Sequence, residues 1–289
     1  MKVLSLLLPA YNYPEGVENI LKLVTSAAHE KIEIIIGDDS TNDAVKKIVE
    51  FFQAEYPRLI SYRRNEPSLG AVFNWNSLLQ LACGKYVMLL HHDEYPINIK
   101  YFPMLLKRLE SKDCPDVLIL PCLLVDRFGK KIRQHLPSTL QAVVLNFFPS
   151  YLFRRNVIGP PSCLIVRKKV YPIFDVKLHW LVDVDLYWRL FSSKIYWSYC
   201  ADFSIASLQG RADSITNVLS NQMMQIESTE RVFLSKKYLG CSIWLSPDLH
   251  KFIFFMEAAL WGLFRALYLG ASKILQILQA IFDCSTLKR

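Results

Sequence analysis

The side chains best able to do chemistry in this chain are carboxylates and imidazoles placed directly behind apolar runs. Asp38 and Asp39 close the run Ile32 to Gly37, and His91, His92, Asp93 and Glu94 close the run Tyr86 to Leu90. A third acidic group, Asp183 with Asp185, opens the helical-looking stretch Asp183 to Leu190. Carboxylates accept paired hydrogen bonds, hold hard cations or take up a proton, and imidazole ligates metals or shuttles protons. Acids just beyond buried strands matter because strand ends open onto the crevice of an open α/β sheet, where ligands bind.

The elements that must position these groups alternate over the first 125 residues. Strands are expected over Val3 to Pro9, Ile32 to Gly37, Ile60 to Arg63, Tyr86 to Leu90 and Val117 to Leu124, with helices over Val17 to Ala28, Ala44 to Ala54, Ala71 to Ala82 and Ile99 to Ser111. Such βα repetition predicts an α/β fold, a mostly parallel sheet with helices on both faces. From Asp126 to Val182, Gly129, Pro137, Pro149, Gly159, Pro160, Pro161 and Pro172 break the rhythm, which predicts loops and partly antiparallel pairing. Strands Ile195 to Tyr199 and Phe203 to Leu208 and a polar helix Asn221 to Leu239 follow. The organisation expected is residues 1–125 and 126–240 as two halves of one domain, then a separate tail, 241–289.

That tail is the most apolar part of the chain. Pro247 to Phe282 carries Phe252, Phe254, Trp261, Leu267 and Ile274 among many others, yet Glu257, Arg265 and Lys273 interrupt it. No charge-free run approaches the roughly 20 residues that span a bilayer, so an amphipathic helical extension lying on a membrane is expected. The alternative is a core or dimer-forming helix pair broken near Gly270, which leaves a homodimer open. Hydrophobic residues at 52% exclude disorder, and seven cysteines without a CxxC spacing read as free thiols of a reducing compartment. Met1-Lys2 leads straight into Val3 to Pro9, too short for a signal peptide, so the expectation is a cytoplasmic protein, peripheral on the inner face of the cell membrane. The net charge of +8 suits an anionic surface or phosphorylated substrates. Nucleic acid is not expected as a partner, because the basic residues are scattered and no recognition motif is present.

Taken in order, Ser5-Leu6-Leu7-Leu8-Pro9-Ala10-Tyr11-Asn12, then Gly37-Asp38-Asp39-Ser40, Gly70, Asn74, Asn76, Gly84-Lys85-Tyr86 and the cluster 91–94 resemble the opening of the family 2 glycosyltransferases, inverting enzymes of the GT-A fold. Gly159-Pro160-Pro161-Ser162 and Asp183 to Leu190 resemble that family's acceptor half. The resemblance implies transfer of a sugar from a UDP-sugar to a hydroxyl of a glycan acceptor, lipid-linked in the manner of surface-polysaccharide or O-antigen assembly, with a divalent cation, Mn²⁺ or Mg²⁺. It implies that Pro9, Ala10, Tyr11 and Asn12 form the nucleotide-side turn. One of Asp38 and Asp39, with Asp39 favoured, would accept from uracil or ribose. Gly70 would let backbone approach the ligand, with Asn76 holding the nucleotide or the metal-bearing loop. Asp93 falls where the family's second metal acid belongs, with His91 in the place of the first and His92 beside it. Asp183 corresponds to the base that deprotonates the acceptor hydroxyl, although Val182 replaces the acid usual before it. Trp180, Ser162 and Asp185 fall on the acceptor side, and Arg211 would clamp diphosphate from a loop where the family tends to place a histidine.

Plainer roles stand beside each of these. Asp38 or Asp39 could cap a helix, Asp183 could be an N-cap, and Asn74 or Asn76 a satisfied surface amide. A catalytically silent sugar-binding protein on the same fold is the competing class, because His91 displaces an acid. A processive synthase would normally bring spanning helices and a Gln-x-x-Arg-Trp motif, and a dinucleotide oxidoreductase a Gly-x-Gly-x-x-Gly turn. The chain has neither sequence motif.

Overall fold

Unbroken aliphatic runs make the central strands, because a strand covered on both faces has no polar side to show. In this computed structural model, which describes residues 2–26, 30–98, 100–126, 128–134, 138–147, 149–153, 155–210 and 223–240, β1 (Leu4–Ala10) is buried along its whole length and β2 (Ile32–Asp38) nearly so. Together with β3 (Ile60–Arg64), β4 (Tyr86–Leu89), β6 (Val117–Ile119), β9 (Leu164–Arg167) and β10 (Trp197–Tyr199) they form a seven-stranded sheet of order β10-β6-β9-β4-β1-β2-β3. Only β9 runs against the rest. A second sheet, β5-β11-β7-β8, joins β5 (Glu94–Pro96), β7 (Cys122–Val125), β8 (Lys131–Gln134) and β11 (Ile205–Leu208).

Alternation along the strands sorts the core into two layers. Leu4, Leu6, Leu8, Ile34, Ile36 and Met88 pack in one cluster with Val17, Ile20, Leu21 and Val24 of α1 (Pro14–Thr25), Val45 and Val49 of α2 (Ala44–Glu55), and Phe102 and Leu105 of α4 (Tyr101–Leu109). Leu7, Ile35 and Val87, their strand neighbours, are buried outside that cluster, on the side of β1 and β2 that α3 (Ala71–Leu81) covers with Trp75 and Leu78. Helices therefore lie on both faces, as the βα repetition predicts. Pro14 opens α1, where a missing N–H costs nothing.

Three details differ from the sequence reading. The strand expected over Val117 to Leu124 is two strands that part at Pro121 and enter different sheets. Proline has no N–H for a ladder, and the backbone on either side bonds to different partners, Leu120 N to Cys163 O and Ile205 N to Pro121 O. Helix α5 (Ser138–Phe147) occupies part of the segment expected to be looped, and the short β5 follows directly on the acid cluster. The antiparallel pairing expected there is present in β8 and β9. Cys83, Cys114, Cys122, Cys163 and Cys200 are free thiols. The chain divides into a unit Met1–Leu234 and a unit Ser235–Arg289, with the division inside α7 (Met223–Leu239) and α6 (Val182–Phe191) wholly in the first. Among the described residues no helix is long and apolar enough to cross a membrane. The amphipathic stretch expected over 241–289 and the loop residue Arg211 lie outside the described residues.

Candidate active site

Adjacent strands deliver the first group of residues. In the register of β1 and β2, Ala10 stands opposite Asp38, so both strands end side by side. The Asp38 carboxylate is fully buried and spoken for. Ser40 N donates to its Oδ1 at 2.9 Å, the Tyr62 hydroxyl to its Oδ2 at 2.8 Å, and Arg64 Nη1 lies 3.9 Å away. Burial, and then the Asp38 carboxylate, push the Tyr62 phenol well above its ordinary pKa, so it stays a donor. Asp38 is thus a brace of the strand end, and of the acidic pair only Asp39 has a carboxylate oxygen to spare. Its Oδ1 accepts from Asn65 Nδ2 at 2.8 Å and Leu69 N at 3.1 Å, while Oδ2 bonds to nothing among the described residues.

The turn after β1 is locked to the turn after β2. Asn12 adopts a left-handed backbone, φ 49°, a conformation asparagine tolerates better than most side chains. Its N–H donates to Ser40 Oγ at 2.8 Å, and its Oδ1 accepts from Thr41 N at 3.0 Å. Tyr11 is left 42% exposed at this edge, alongside exposed Leu69 and Phe73 at the start of α3. Gly70, which precedes α3 with φ 77°, has open space around its missing side chain, so backbone conformation and not crowding demands glycine there. Gly37 is the opposite case. A Cβ there would lie 2.1 Å from Asn74 Oδ1, and its absence lets Asn74 Nδ2 reach Gly37 O at 2.8 Å.

Asn76 is engaged by the fold. Its amide exchanges two hydrogen bonds with the backbone of Phe174, at 2.9 and 2.8 Å, which ties α3 to the segment ahead of α6 and uses the amide that a nucleotide would need.

The loop behind β4 folds as a tight turn in which Glu94 N donates to His91 O. Glu94, 3% exposed, in turn receives His91 N and faces His91 Nδ1 through one oxygen, both at 3.2 Å. His91 Nε2 is buried and has no hydrogen-bond partner among the described residues. Burial opposes charge on this imidazole, but the carboxylates of Glu94, Asp93 and Asp183 outweigh it and raise its pKa. Burial likewise opposes charge on Glu94, yet His91 holds its pKa below the ordinary value. His92 turns the other way, with Nδ1 3.3 Å from Pro9 O and its ring edge-on to Tyr13, which joins this loop to the β1 turn. Trp75 of α3 packs against the His91 ring at 5.1 Å between centroids.

Asp183 enters from the first turn of α6. Val184 N donates to its Oδ1 at 2.8 Å and Asn156 Nδ2 to its Oδ2. Burial nevertheless dominates and raises its pKa to about 7, against the opposing pull of those donors and of His91. Each of His91 and Asp183 feels the other's charge.

Two residues expected on the acceptor side are enclosed by the fold. Asp185 is wholly buried and ion-paired with Arg189, whose Nε donates at 2.9 Å, so it stiffens α6 from within. The Ser162 hydroxyl is wholly buried too. It lies close enough to Glu94 to favour that carboxylate's charge, yet it completes no hydrogen bond of ordinary geometry. Neither has surface to offer an acceptor. Trp180 is half-buried, one turn ahead of Asp183.

One residue that no sequence pattern singles out braces the approach to α6. Glu230 of α7, 6% exposed, accepts from three consecutive backbone N–H groups, His179 at 2.6 Å, Trp180 at 3.0 Å and Leu181 at 2.7 Å. Sequence patterns cannot show a partner some fifty positions away on a polar helix. Tyr62, Asn65 and Asn156 were missed for the same reason.

The turns after β1 and β2 are thus joined through Asn12 and Ser40, the β4 loop meets the β1 turn through His92 and Pro9, and His91 and Asp183 lie within electrostatic reach of each other. Known proteins share the fold. An uncharacterized glycosyltransferase of Methanocaldococcus jannaschii is 21% identical over 243 residues, covering 83% of this chain and 82% of its own. Among solved structures, Staphylococcus aureus TarS superposes with a TM-score of 0.55 at 17% identity, covering 83% of this chain but 43% of that one. Its 1–349 fragment in complex with UDP-GlcNAc gives 0.53 at 15% identity, covering 83% and 72%. A Pyrobaculum calidifontis mannosyltransferase in complex with GDP-Man and Mn²⁺ gives 0.50 at 12%, covering 89% and 79%. These likenesses establish the fold. Membership follows from the sequence match that begins inside β1, takes in every strand-end acid and runs to Tyr171, more than half the chain: the protein belongs to glycosyl transferase family 2.

Proposed function

We propose that the protein is an inverting glycosyltransferase that moves a sugar from a UDP-sugar to a hydroxyl of a lipid-linked glycan, with Asp183 as the base. The observation that carries this reading is the half-buried Asp183 carboxylate in the first turn of α6, aimed by Asn156 Nδ2 and Val184 N, in surroundings that raise its pKa to about 7. A carboxylate poised near neutral pH is matched to removing a proton from an attacking hydroxyl. Asp39, with one oxygen held by Asn65 and Leu69, keeps the other for the ribose or uracil of the donor. Exposed Tyr11 lies at the same edge, suited to the face of a base. Support for a UDP donor comes from the UDP-GlcNAc complex of TarS, and the GDP-Man complex makes the nucleotide itself something to test.

The β4 loop fits a divalent cation in part. His91 presents a buried Nε2 without a partner while Glu94 orients the ring from Nδ1, the arrangement by which a carboxylate sets up a ligating imidazole. Asp93 follows two residues on. No group of three His, Cys, Asp or Glu able to hold a metal occurs among the described residues, so Asp93 and His91 would share Mn²⁺ or Mg²⁺ with the donor diphosphate. When bound, the ion would neutralise charge on the departing diphosphate. The chain's own residues supply the rest. Asp39 fixes the nucleoside, Asn156 and Val184 aim Asp183, and Asp183 takes the acceptor proton as the hydroxyl attacks the anomeric carbon from the face opposite the leaving group.

The lipid-linked acceptor, a role in surface-polysaccharide assembly and a place at the inner membrane face are supported by the amphipathic pattern of residues 247–282 alone. The test offers the protein UDP-Gal, UDP-Glc and their N-acetyl forms with Mn²⁺ and a synthetic undecaprenyl-like diphospholipid acceptor. Asp183→Asn is expected to lower turnover by about 10²–10⁴-fold with nucleotide affinity intact. Metal-dependent UDP binding with no product from any donor would instead favour a silent sugar-binding protein.

A further inference from the structure

We propose that Glu230 is a positioning residue for the reaction, holding the turn that aims the Asp183 carboxylate from a helix outside the strand-end framework. The inference rests on Asp183 being the base. Helix α6 brings no side-chain cap of its own, since Leu181 stands at its N-cap position. The turn leading into it, His179 to Leu181, would leave its N–H groups unanswered, and Glu230 answers all three with two carboxylate oxygens. Leu181 passes that constraint onward, because its carbonyl accepts the Asp185 N–H at 3.0 Å and so closes the first turn of the helix. Asp183 sits inside this turn, two residues beyond Leu181. A negative charge ahead of a helix start also complements the positive end of the helix dipole.

The side chain of Asp183 is aimed by Asn156 and Val184, whereas the backbone that carries it is held by Glu230. Glu230 itself is turned to backbone N–H groups, so it meets no substrate. Its effect should fall on kcat, because displacing a reacting group by about 1 Å costs up to a hundredfold in rate even when binding is untouched.

Glu230→Ala, Glu230→Gln and Asp183→Asn in the full chain, assayed with the active UDP-sugar, calorimetric UDP binding and thermal midpoints, test this. Expected is a graded response: kcat falls about 10–100-fold in Glu230→Ala and several-fold in Glu230→Gln, which keeps one acceptor oxygen, with KM for the donor and UDP affinity unchanged. A readout free of turnover is the pH dependence of the thermal midpoint that Asp183→Asn removes. It should shrink in Glu230→Ala as water reaches Asp183. A lower midpoint with wild-type kcat and an unaltered pH dependence would overturn the proposal and leave Glu230 a fold brace. Should Glu230→Ala fail to fold, wild-type kcat in Glu230→Gln overturns it equally. Full turnover by Asp183→Asn would sink the base assignment, whereas an inactive Asp183→Asn beside fully active Glu230 variants sinks the role of Glu230 alone.

Discussion

The strand-end side of the site and the α6 side hold their charged groups in opposite ways. Asp38 and Asp39 rest mainly on neutral donors fixed by the fold, the Ser40 and Leu69 N–H groups, the Tyr62 hydroxyl and the Asn65 amide. Asp183 also accepts from neutral donors, Val184 N and Asn156, but there burial opposes ionisation, and His91 feels the charges of both Asp183 and Glu94, while among the described residues buried His91 Nε2 and Ser162 Oγ complete no hydrogen bond. Fixed neutral donors make a rigid seat that binds the same group every time. Mutually dependent charges make a set whose protonation a substrate or cation can change. The first arrangement suits recognition and the second suits proton transfer.

Breaking the seat should give the largest effect on donor binding. Asp39→Ala removes a charged acceptor from the donor side and strands Asn65 and Leu69, so calorimetry should show UDP binding weakened about 10–100-fold, the worth of a hydrogen bond to a charged group. The α6 side should be betrayed by pH. With a base of pKa about 7, kcat/KM should fall tenfold per unit as pH drops below that value, and an acid limb near an ordinary aspartate's value would refute the burial argument.

A smaller effect follows by linkage. Between an unfolded value near 4 and a folded value near 7, the native chain holds a proton on Asp183 that the unfolded chain has lost, so stability declines as pH rises through this window. Asp183→Asn should therefore raise the thermal midpoint by a few degrees at pH 8 and leave it unchanged below about pH 4, while activity is lost. Smallest of all, Tyr62→Phe takes one donor from Asp38 and should cost about 1 kcal/mol in denaturant unfolding without moving the acid limb.

Local pattern made much of this legible. The runs at Leu4 to Ala10 and Ile32 to Asp38 announce buried parallel strands, and acids directly behind such runs announce a site. What sequence alone hides is who answers whom. Asp38 and Asp39 look equivalent on paper and are told apart only by Tyr62 and Asn65, two dozen positions later. Asn76 and Asp185 have suitable chemistry and fall near the right motifs, but Phe174 and Arg189 claim them. Strand β5 is too short to show a period, and Pro121 marks the break between β6 and β7 only when the two sheets on either side are seen.

The lone reversed strand has a consequence for how the molecule assembles. β9 comes late in the chain yet is wedged between β4 and β6, so the nucleotide-side strands must wait with an unzippered flank until residues 164–167 arrive. A fragment ending at Val125 would carry most of the donor motifs and still present β4 as a sticky border, prone to recruit strands from other molecules. Residues 1–125 are therefore not a detachable module. During synthesis, their protection depends on a stretch made some forty residues later.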